Sequence, residues 1–145
     1  MADLILNVAK GAAPEKVRDS AANVLVLLLK SGGENDTAIK DRDTVADVLA
    51  GSTEADATNY ARKTGLTGTV TVDDTNDWVT VSVPNQTWTG LGGATNNTIA
   101  RALTAYQDAA ADASRVPLTS HDFPMTTDGS DVTLQWAAGG FFKAA

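Results

Sequence analysis

Residues 23–30 read NVLVLLLK, and no other stretch constrains the fold as much. Val24 to Leu29 are apolar without interruption, so a strand here has no side to give to water. The run has the length of one strand and falls far short of a membrane span. It predicts a strand buried on both faces and ended by Ser31, Gly32 and Gly33.

The remaining segments are read around that strand. Short apolar runs separated by Gly, Asn, Asp and Pro predict a mainly β chain, bordering on α+β. Leu4 to Val8 is a first strand. Residues 36–64 differ in character. Ile39, Val45, Val48 and Leu49 fall near one helical stripe, and Thr44 and Asp47 have capping-box spacing ahead of a stop at Gly51. Thr53 and Asp56 repeat the spacing before Arg62, Lys63 and Gly65, with acid first and base last, as a helix dipole favours. The expectation is an antiparallel β-sandwich or barrel-like domain with a short two-helix insertion near residues 36–64. A length of 145 residues suits a single domain. It is placed over residues 23–145, preceded by a strand or arm over residues 1–22.

Two hairpins are expected. In VTVDDTNDWVTVSV, residues 70–83, a loop from Asp74 to Asp77 sets Val72 opposite Val79 and Val70 opposite Val81. The valines share one face, and Thr69, Thr71, Thr80 and Ser82 share the other. Trp78 then lies on the threonine face, either under the inserted helices or exposed as an interface aromatic. Asp128-Gly129 reads as a type I′ turn pair setting Met125 opposite Val132 and Phe123 opposite Leu134. Pro124 then belongs on an edge strand or at a bulge. Trp88 and Trp136 read as core. Residues 99–106, IARALTAY, stay open between helix and strand. DAAADASR is a loop, and AAGGFFKAA closes the chain as a short strand or docked tail.

The acidic knot around Asp73, Asp74 and Asp77 is the most conspicuous candidate for metal chemistry. Counted from Asp73, a calcium loop requires glycine sixth and a bidentate glutamate twelfth, where this chain has Trp78 and Pro84. Asp and Asn suit a tight turn by bonding nearby amides, so the knot is read as a bend. Ser120, His121 and Asp122 are consecutive, and neighbours on a strand point to opposite sides, which separates them as a triad. GLGGAT, residues 90–95, lacks the preceding βαβ strand and the lysine of a phosphate loop and is read as an ordinary loop. No catalytic, metal or cofactor residue is assigned. Cysteine is absent, which removes disulfides, zinc thiolates and thiol nucleophiles. The net charge of −7 with scattered Lys and Arg argues against nucleic-acid partners and anionic membranes. The start MADLILNVAKG has no basic leader or long apolar stretch, so no signal peptide is expected.

Several stretches taken together, TEADATNYARK, VTVDDTNDWV, QTWTGLGGATNNT, VPLTSHDFPMTTDGSDVT and AAGGFF, resemble a family of small virion proteins from tailed bacteriophages of actinobacteria, identified as head decoration (minor capsid) proteins. The likeness runs from about residue 23 onward. It implies a non-enzymatic structural protein, made in the host bacterial cytoplasm, that binds the outside of assembled shells and reinforces them. The implied partners are the major capsid protein and further copies of the chain, often as trimers at local symmetry axes. An acidic chain suits the exterior of a shell packed with DNA. Trp78, Phe141 and Phe142 are candidates for the subunit interface, and Leu4, Ile5 and Leu6 for an N-terminal stretch that meets the capsid. The rival readings are a minor tail or fibre-associated structural protein and, from another class, a small hydrolase using His121.

Overall fold

The computed structural model describes residues 4–6, 23–106 and 111–144. The apolar run forms β2 (Val24–Lys30), an inner strand of a five-stranded antiparallel sheet. The order across it is β1 (Leu4–Ile5), β8 (Val116–Thr126), β7 (Thr98–Tyr106), β2, β3 (Lys63–Leu66). Alternate residues of β2 enter different layers. Leu25, Leu27 and Leu29, with Leu103 and Ala105 of β7, meet α1 (Asp36–Ile39) and α2 (Val45–Gly51) through Ile39, Val45 and Val48.

The opposite face is covered by two small antiparallel sheets. One has the order β10 (Phe142–Ala144), β5 (Trp78–Ser82), β4 (Thr69–Asp73), and it buries Val24 with Val81, Tyr106, Leu118 and Phe142. The other pairs β6 (Gln86–Trp88) with β9 (Val132–Leu134) and covers Val26 and Leu28 with Trp88, Leu91 and Leu134. Every residue from Val24 to Leu29 is therefore buried, each side chain contributing roughly 1.5–3 kcal/mol of burial. The chain is mainly β, with sheets that stay open and do not close into a barrel.

Both helices fall in the first half of the expected insertion. Thr44 caps α2 as anticipated: its hydroxyl accepts from the Asp47 amide, and Asp47 reaches back to the Thr44 amide. The stretch from Thr53 to Gly65 is not the second helix. The outer edge of β2 needs hydrogen-bond partners, and this stretch supplies them. The Lys30 amide donates to the Thr53 carbonyl, the Ala55 amide to the Leu28 carbonyl, and β3 then pairs with Val24 and Val26. Pairing against a buried edge overrides the local helix signals. Residues 99–106 resolve as strand, holding β2 on one side and β8 on the other.

The second hairpin is a correction. β8 pairs with β7 and β1, so Met125 faces Ile99, while β9 pairs with β6, so Val132 faces Trp88 and Leu134 faces Gln86. Only Gly129 takes positive φ, at +97°, and a type I′ turn requires it at both central residues. Pro124 does sit at a bulge: Arg101 faces Asp122 and Ile99 faces Met125, leaving β8 one residue longer between them. At the N-terminus, Leu4 and Ile5 pair with Ser120 and Thr119, and Leu6 enters the helix-side core. These three residues share the core of the domain expected from residue 23 onward. Asn7, Val8 and the expected arm through residue 22 lie outside the described residues, as do residue 107 and the first three residues, 108–110, of the DAAADASR loop.

Candidate interaction surface

The first hairpin has the anticipated register, with Val70 facing Val81, Val72 facing Val79 and Asp73 facing Trp78. Asp73 organises the turn. One carboxylate oxygen accepts from the Thr75 and Asn76 amides at 3.0 and 3.1 Å, and the other accepts from the Asn76 side chain at 2.8 Å. The Asn76 side chain and these amides hold its carboxyl below the usual range. Asp77 adopts φ +56°, a conformation that Asp tolerates. The knot is a bend.

The valine face of this hairpin runs out of the core. Val81 is buried under Phe142, Val70 and Val79 are half-buried, and Val72 is 63% exposed. A shallow hollow of about 310 Å³ lies between Val72, Val79, Ala144 and the turn aspartates. Trp78 is on the opposite face, as expected, but the helices do not cover it, because they pack beyond the central sheet. Lys143 covers it instead, with Nζ 3.0 Å from the ring centre.

A larger groove, about 520 Å³, runs from Lys40 at the end of α1 past β1 to Lys143 on β10. Leu4, Ile5, Phe141 and Phe142 line it, with Thr119 and His121 of β8. The structure thus brings together four side chains that the sequence offered as interface candidates at opposite ends of the chain. It also revises their roles. Phe141 and Phe142 are buried in the domain's own core and Leu6 is wholly enclosed, so these three present little area to a partner. Leu4, Ile5 and Trp78 keep accessible surface. The two lysines and Val72 were missed, since nothing in the local sequence says which lysine lies beside which apolar floor.

The consecutive Ser120, His121 and Asp122 do not form a relay. His121 Nε2 bonds the Thr119 hydroxyl at 2.7 Å, which meets Thr104 at 2.6 Å, and the ring stands edge-on to Trp136. Ser120 lies on the helix side, where its hydroxyl accepts from Arg101, itself paired with Asp36 at 2.6 Å. Trp136 is half-buried, whereas Trp88 is buried and donates its indole N–H to the Ala61 carbonyl. In the glycine loop, the amides a phosphate requires are already engaged: Leu91 with Ser130, Gly92 with Thr58, and Gly93 with Asn96.

One long-range polar network had no sequence signal. Arg62 grips Glu54 through Nε and Nη2 and Asp112 through Nη1 and Nη2, at 2.6–2.9 Å, and Arg115 adds a further bond to Asp112. Arg62 first and Arg115 second hold the Asp112 carboxyl down at about 2, while burial and the Glu54 charge raise the Tyr60 phenol well above its ordinary value. The network ties the strand-like segment beside β2 to the loop before β8.

No protein-family model, curated protein or solved structure matches the chain.

Proposed function

We propose that the chain is a structural protein of a tailed-phage particle that binds the outer surface of the capsid as a reinforcing decoration protein, several copies acting together. The observation that carries this reading is the β4–β5 hairpin, whose valine face leaves the core and ends in an exposed Val72 beside three aspartates. An apolar strip continuous with a core, on an acidic domain, suits contact with another folded protein. The sequence resemblance supplies the kind of partner: the major capsid protein, and further copies of the chain itself, with a trimer as the proposed assembly. Multiple copies favour shell binding because each single attachment must offset lost rotational and translational freedom, whereas linked copies add weak contacts as avidity.

The test is electron microscopy of particles carrying a labelled copy, beside particles lacking the protein. Label on the outer face of the head is the expected result. Label confined to the tail would overturn the head assignment in favour of a minor tail or fibre-associated role.

A further inference from the structure

The groove beside β1 has an apolar floor and a cationic rim. Lys40 supplies that charge: it is half-exposed and meets only its neighbour Asp41, at 3.9 Å, among the ion pairs of the described residues, whereas Lys143 at the other end keeps its ammonium on the Trp78 ring. Its natural occupant is apolar and acidic. The hairpin tip has that character: Val72 is the one large hydrophobic side chain strongly exposed among the described residues, flanked by the exposed Asp74 and Asp77. Neither aspartate takes part in an ion pair among those residues.

We infer that the β4–β5 hairpin of one copy seats in the β1 groove of another. Val72 meets the Leu4 and Ile5 side, and the tip aspartates, Asp74 first, meet Lys40. Opposite charges at such a contact set its register and penalise wrong pairings. Tip and groove are different patches, so the contact is head to tail, and it forms a ring when the rotation between copies closes. Phe141 and Phe142 then serve as the rigid wall behind the groove and do not themselves cross the interface. This inference rests on the multi-copy part of the proposed function and needs no shell.

Sedimentation of the full chain without shells tests it. Asp74→Lys and Lys40→Glu alone should each weaken self-association by about tenfold or more, the scale of one unfavourable charge contact. The double variant should restore it, because the swapped charges face each other again. Melting curves check that each variant folds. If Lys40→Glu does not, Val72→Glu on the exposed tip replaces it and should weaken association likewise. A wild-type chain that stays monomeric up to its solubility limit overturns the inference, as does a double variant no stronger than the singles, or undiminished association in Val72→Glu. Cosedimentation with capsid shells is a separate readout. A monomer that binds shells leaves the decoration role standing while the tip-in-groove contact falls, and an associated protein that ignores shells does the reverse.

Discussion

Two acidic turns in this chain look alike in sequence and do opposite work. Around Asp73 to Asp77 the turn closes locally, and its flanking strands pair with each other in the register their alternation dictates. Around Asp128 and Gly129 a similar motif, with Asp128 accepting from the Ser130 amide, leaves its flanking strands apart. That bend docks on a distant loop. Gly129 donates to the Leu91 carbonyl, and the Leu91 amide donates to Ser130. A turn motif specifies its own backbone; which strands pair across it is decided by what else competes for their edges. β8 is claimed by β7 along most of its length, so β9 is left to find β6.

The largest effect should come from the loop that receives the distant bend. Gly92 has φ +98°, and a Cβ there would meet the Asn96 side chain, the Thr127 hydroxyl at 2.8 Å and the Asp128 amide nitrogen at 2.9 Å. Gly92→Ala combines a strained backbone with overpacking, so a loss of about 3 kcal/mol is expected. Thermal melting should read it as a fall of roughly 10 °C. An unchanged melt would break the docking account. Gly129→Val comes next, costing more than about 1 kcal/mol, because a β-branched residue resists positive φ and its Cβ would press on Gly93. Hydrogen exchange sharpens the comparison: the Leu91 and Gly129 amides should lose protection together, while Val79 and Val81 in the local hairpin keep theirs.

What was legible in the sequence follows the same division. The buried β2, the Thr44 cap, the Val70–Val81 and Val72–Val79 pairs, the Pro124 bulge and the short closing strand all rest on signals contained within a few residues. Illegible were the features set by long-range competition. The segment after Thr53 has helix-like ends but is drawn to the edge of β2, and Val132 and Leu134 pair with β6, not with Phe123 and Met125. The candidate surface was half legible for the same reason. Alternation put Val72 and Trp78 on opposite faces, but local pattern could not tell that Lys143 would cover Trp78 or that Leu4 and Phe141 would line one groove.

Acid should withdraw the stabilisation that Asp112 supplies to the long-range network. Asp112 is held at about 2 in the folded chain, chiefly by Arg62 and then by Arg115, below an unfolded value near 3.9. The unfolded chain therefore binds more protons between those values. The stabilisation from Asp112 is complete above about pH 4 and is lost as the pH falls toward about 2. For a partly exposed network the scale is about 1 kcal/mol. Asp112→Asn should lower stability at pH 7 by about that amount, and the gap from wild type should close as the pH drops through this window. A gap that persists at pH 2 would mean that Asp112 acts through something other than its charge.

The smallest effect is expected from calcium at the local turn. Calcium takes six to eight oxygen ligands, and the bend has already committed its best donor. Both Asp73 oxygens are occupied, by two backbone amides and by the Asn76 side chain, and those bonds are what shape the turn. Recruiting Asp73 to a cation means surrendering part of that geometry, with Asp74 and Asp77 on an exposed tip as the remaining acids. Thermal melts recorded with calcium and with a chelator should therefore superimpose. A rise of several degrees in calcium would show that the cation binds the folded state selectively. It would also erase the contrast between the two turns, because the hairpin would then depend on a ligand as the distant bend depends on Leu91.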